Sequence, residues 1–122
     1  MASTIDVRAT VLRRVERTFE EDERVALELR GKLSEAVRLI HLALGPRKVV
    51  LFGSLARGTF FADRSDVDFA VEGLGSEPPP ALADSLRALL GRRVDLVDPE
   101  WCADFMQPGI ARGEILWPRE ER

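Results

Sequence analysis

Asp66 and Asp68 stand two residues apart in Ser65-Asp66-Val67-Asp68-Phe69-Ala70-Val71. The stretch alternates polar and apolar from Asp66 to Phe69, which predicts a strand. Residues two apart on a strand project from the same face, so the two carboxylates would stand side by side. Like charges that close separate in pKa unless a cation lies between them. Oxygen-only ligands suit Mg²⁺, with Mn²⁺ as a substitute, bound together with substrate phosphates. Asp95 lies in a second alternating stretch, Arg93-Val94-Asp95-Leu96-Val97-Asp98. There Asp95 and Val97 share one face, and Val94, Leu96 and Asp98 the other. If the two strands are neighbours, Asp95 completes a carboxylate cluster. A two-metal site then becomes possible, one ion on a triphosphate and the other lowering the pKa of an attacking hydroxyl. Upstream, Lys48-Val49-Val50-Leu51-Phe52 reads as a buried strand that runs into Gly53-Ser54. A glycine there lets a phosphate approach the backbone. The Ser54 hydroxyl and the N–H groups of a following helix start can donate to its oxygens. Arg57 could add a guanidinium that forks onto phosphate, with an exposed surface arginine as the alternative.

These residues need elements to hold them. Residues 4 to 44 contain no proline and one glycine, Gly31, and small or apolar residues recur at 12, 15, 19, 26, 29, 33, 36, 40 and 43. With Asp22 in the one gap, the steps alternate three and four, the helical period. Gly45-Pro46 supplies the stop. One unbroken helix of about 40 residues would be roughly 60 Å long, against about 25–30 Å for a compact domain made of the rest. The segment therefore either breaks, near Asp22 or Gly31, or overhangs and packs on another chain. Beyond Asp68 the alternation predicts a loop over 73–80, a helix over 81–90, a strand at 93–98, short helices near 101–106 and 108–112, and a last strand at 114–117. The result is an α/β (α+β) domain with helices over a small sheet. The division is a helical arm over 1–45, a catalytic unit over 46–118 and a charged tail over 119–122.

The 122 residues carry 18 Lys and Arg against 21 Asp and Glu, a net charge of −3. That balance argues against a protein that coats nucleic-acid backbone. One cysteine, Cys102, excludes an internal disulfide framework and a cysteine-based zinc site. No apolar run approaches the roughly 20 residues that span a bilayer, so a soluble cytoplasmic protein is expected. Trp101 and Trp117 read as core or core-edge residues, with base stacking as the alternative. His41 reads as surface or interface. Asp95 has a structural alternative, with Asp98 as a loop cap beside Pro99. Ser65 suits bracing the turn before Asp66 as well as touching nucleotide. The basic residues Arg8, Arg13, Arg14 and Arg17, followed by Glu20 to Glu23, read as a solvated helix face whose sign change could set partner register.

Gly-Ser, then Asp-x-Asp, then a third acid on a later strand resembles the minimal nucleotidyltransferase family, relatives of the DNA polymerase β catalytic core. The matching residues are Gly53, Ser54, Asp66, Asp68 and Asp95, and Ala56-Arg57-Gly58, Ser65 and the ending Ile110 to Trp117 are similar as well. The resemblance covers about residues 46 to 118. It implies a mixed-sheet fold, Mg²⁺, and use of a nucleoside triphosphate, chiefly ATP, with pyrophosphate release. Gly53, Ser54, Arg57 and Ser65 would then face the nucleotide, and Asp66, Asp68 and Asp95 would be catalytic metal ligands. Eleven residues separate Ser54 from Asp66, where the family usually has ten; the extra residue reads as part of the loop 59–64. Minimal members typically work beside a small all-helical HEPN protein, often a ribonuclease toxin. They act as its antitoxin by binding it and, in some systems, by transferring AMP to one of its tyrosines. This chain has no tyrosine, which fits an acceptor on another chain. The N-terminal stripe fits docking on a helical partner or a homodimer. The alternatives are a non-catalytic antitoxin or scaffold, and transfer to a small molecule, which would need an acceptor domain.

Overall fold

The structure, a computed structural model, describes residues 4–119. Helices α1 (Thr4–Arg30) and α2 (Leu33–Leu44) lead into strand β1 (Val49–Phe52) and a short helix, α3 (Gly53–Arg57). Strand β2 (Val67–Val71), helix α4 (Pro80–Leu90) and strand β3 (Val94–Val97) follow. A 3-10 turn (Asp104–Met106), helix α5 (Gln107–Ala111) and strand β4 (Glu114–Trp117) complete the described chain. The strands form one sheet in the order β3-β2-β1-β4. β1 runs antiparallel to both β2 and β4, whereas β2 and β3 are parallel, with α4 in the crossover.

The N-terminal segment breaks at Gly31-Lys32, one of the two places the sequence offers. The Lys32 N–H reaches back three residues, to the Leu29 carbonyl. Leu29 before the break and Leu33, Ala36, Val37 and Ile40 after it all join one core. The overhang is present too. Val7, Val11, Leu12, Val15 and Phe19 on α1 are exposed, Phe19 by 63 %. Among the described residues no helix is long and apolar enough to cross a membrane.

The two sheet faces have different company. Val49, Leu51, Val67, Phe69, Val71, Val94 and Leu96 pack with α2 and α4 in the main core. The opposite face carries a small cluster of Val50, Phe52 and Ala70, covered by Val97 and by Ile110 of α5. Strand alternation therefore sends one set of side chains to the core and leaves the other for a site.

Candidate functional site

The parallel pairing of β2 with β3 sets Asp68 directly opposite Asp95. On the other side Asp68 is in register with Phe52, the residue before Gly53. The Gly-Ser turn and both strand carboxylates therefore meet at one end of the sheet. Asp68 is half-buried, Asp95 is exposed, and Asp66 lies just before β2 with a third of its side chain exposed. Burial, reinforced by the charges of Asp95 and Asp66 and opposed by Arg57, pushes the Asp68 carboxyl up to about 6. Arg93 Nε lies 3.7 Å from Asp66 Oδ1.

Gly53 opens α3 at a φ of +76°. An added Cβ would run into the Asp68 carboxylate, so the absence of a side chain lets the turn pass directly against the acid. The Ser54 carbonyl accepts the N–H groups of Gly58 and Thr59, which closes α3 after five residues. Arg57, at its last turn, is exposed and near enough for its charge to act on Asp68.

Residues outside the sequence motif hold the loop that follows. The Ser65 hydroxyl accepts the Phe61 N–H at 2.8 Å, which is the bracing role. Arg92 donates to the carbonyls of Ser65 and Ala62, both at 2.8 Å, and its guanidinium lies 4.6 Å from the Phe60 ring centre. Asp22 Oδ1 accepts the Ala62 N–H at 2.8 Å, tying α1 to the same loop. Asp22 was visible as the polar gap in an apolar seam, but the sequence did not name its partner. Arg92 carried no signal, because its contacts lie about 30 residues upstream.

Asp98, only 3 % exposed, accepts the Gly75 N–H at 2.9 Å and the Glu100 N–H at 3.0 Å. It is a loop cap, as its place beside Pro99 suggested. Trp117 lies against the core edge, with the His41 ring edge-on at 4.6 Å. Trp101 is 66 % exposed and so is not a core residue; it stands on the turn that Asp98 organises rather than on a regular element.

Among the described residues, no three His, Cys, Asp or Glu side chains are gathered as a ready metal-ligand set. The donor chemistry nevertheless fits a hard divalent cation. The three carboxylates share one end of the sheet, they repel one another at Asp68, and a cation there would relieve that repulsion.

A sheet with a Gly-Ser turn set against paired strand carboxylates is the arrangement expected of a nucleotidyl-transferring domain. The family model for the nucleotidyltransferase domain matches residues 30–113, and the chain belongs to that family. The matched span begins at the last residue of α1. Among solved structures, the chain is similar to one in a mutant form of the toxin–antitoxin complex MntA–HpeT, the likeness being to MntA. The two are 27 % identical with a TM-score of 0.58, over 71 % of this chain and 72 % of that one. No curated protein sequence matches this one.

Proposed function

We propose that the protein transfers a nucleotidyl group, AMP from ATP, to a hydroxyl of a partner protein, as the antitoxin of a toxin–antitoxin pair in the cytoplasm. The partner would be a small helical protein of the HEPN kind. The observation that carries this reading is the register of Asp68 with Asp95 beside Gly53-Ser54, in a chain of the nucleotidyltransferase family. Similarity to MntA supports the toxin partner.

On this reading Gly53, Ser54 and Arg57 face the triphosphate, and Asp66, Asp68 and Asp95 would hold Mg²⁺. Bound there, the cation would neutralise phosphate charge and acidify the acceptor hydroxyl. The acceptor oxygen bonds to the α-phosphorus, and the bond from that phosphorus to the oxygen bridging to the β-phosphate breaks. Pyrophosphate leaves with that electron pair, and the hydroxyl proton passes to Asp95, the exposed carboxylate of the pair. Ser65 acts by holding the loop through Phe61.

The test is incubation of this protein with α-labelled ATP, Mg²⁺ and the product of the neighbouring gene, the proposed toxin. The wild type should label the toxin. Asp66→Asn and Asp68→Asn should reduce labelling by at least about 10³-fold, with complex formation and the far-ultraviolet spectrum unchanged. The exposed apolar arm favours a second reading, neutralisation by binding alone. That reading stands instead if the wild type labels nothing and the Asp66→Asn/Asp68→Asn double variant still neutralises the toxin.

A further inference from the structure

Beyond the catalytic end of the sheet, the overhanging half of α1 has a pattern of its own. Val7, Val11, Leu12, Val15 and Phe19 form an exposed stripe at helical spacing. Further along the same helix Asp22, Val25, Ala26 and Leu29 engage the chain's own domain, so the stripe continues the core-facing side past the domain's edge. Both ends of the stripe are charged, with opposite sign. Arg8 stands three and four residues before Val11 and Leu12, and Glu23 stands four residues after Phe19. Both are exposed, and neither forms an ion pair among the described residues.

We propose that two copies of this chain pair through antiparallel α1 helices centred near Val15. Val15 lies seven residues after Arg8 and eight before Glu23, so the stripe is close to palindromic in position and opposite in charge at its ends. In the antiparallel pair the axis passes between residues 15 and 16, so the two Val15 side chains lie beside each other across it, Leu12 of each chain meets Phe19 of the other, and Arg8 of each meets Glu23 of the other. Parallel pairing would set Arg8 on Arg8 and Glu23 on Glu23. The antiparallel arrangement is isologous and closes on itself as a dimer. It also accounts for the groove of about 680 Å³ beside α1, lined by Phe19, Glu23, Ala26, Leu27 and Phe61 among others. The Val7 and Arg8 turn of the second arm arrives at Glu23 there. A second copy is favoured over an unrelated occupant because the stripe's own far end supplies the complementary charge.

The pairing does not depend on nucleotidyl transfer and is tested without nucleotide. Sedimentation equilibrium of the full chain should show a dimer, and Val15→Asp should give a monomer with unchanged circular dichroism. Arg8→Glu and Glu23→Arg each create two like-charge contacts per dimer and should weaken self-association roughly tenfold, less so at high salt. The double variant Arg8→Glu/Glu23→Arg restores opposite charges in the reverse sense, so it should recover wild-type association. A wild type that stays monomeric overturns the proposal, including one that uses Val15 only to bind a different protein. So does a double variant that associates no better than the single ones.

Discussion

Burial and two neighbouring carboxylates hold Asp68 at about 6, against an ordinary value of 3.8. A carboxyl with a raised folded pKa binds its proton more tightly folded than unfolded. Its favourable contribution is complete below about pH 4 and is lost as pH rises through about 6. At neutral pH the ionised group therefore works against the fold. Asp68→Asn should stabilise the metal-free protein by about 1 kcal/mol near pH 7.5, after discounting for partial exposure, and should do nothing near pH 4. In scanning calorimetry with a chelator this is a rise in Tm of about 3–5 °C, present only at the higher pH. Added Mg²⁺ should raise the Tm of the wild type and leave the Asn variant unmoved. Gly53 is the complementary case. Gly53→Ala places a methyl against the Asp68 carboxylate at a φ of +76°, so it should cost about 2 kcal/mol and abolish nucleotide binding. A thermal melt and a nucleotide titration check the two parts separately.

At the scale of elements, the strands were the legible part. Asp66 to Phe69 and Val94 to Asp98 alternate because one face goes to the α2–α4 core and the other does not. What the alternation could not give was register. The pairing of Asp68 with Asp95 is made across α4 by a parallel crossover, and local sequence does not encode which residue meets which. The N-terminal break was legible as a choice between Asp22 and Gly31. The break falls at Gly31, while Asp22 stays within α1 and accepts the Ala62 N–H. The loop was legible over 59–64 but runs on through Ser65 and Asp66 to β2 at Val67, and its fastening was not legible, because Arg92 reaches it from the far side of α4. Arg92→Lys removes the fork that serves two carbonyls and the stack on Phe60. It should cost about 1–2 kcal/mol and speed hydrogen exchange at the Phe61 and Ser65 amides, with the α2 amides unchanged. Equal acceleration in both places would mean that Arg92 supports the whole fold rather than this loop.

Over the whole molecule, residues 10–21 of α1 are exposed, while Leu29 of α1 and Leu33, Ala36, Val37 and Ile40 of α2 are buried. A chain starting at Thr18 should keep its Tm within about 2 °C of the full chain by calorimetry at low concentration. A larger fall would show that the arm supports its own domain after all. The two-faced sheet has a wider consequence for how such a protein can change over generations. Val67, Phe69 and Val71 hold the core, and Asp68 between them serves the opposite face. A substitution that silences the site therefore leaves the interior intact and, at Asp68, relieves a charge held against its preference. Selection for activity must continually oppose a drift that folding alone would welcome. Once that selection lapses, the descendant expected is a stable, silent protein that still presents its arm.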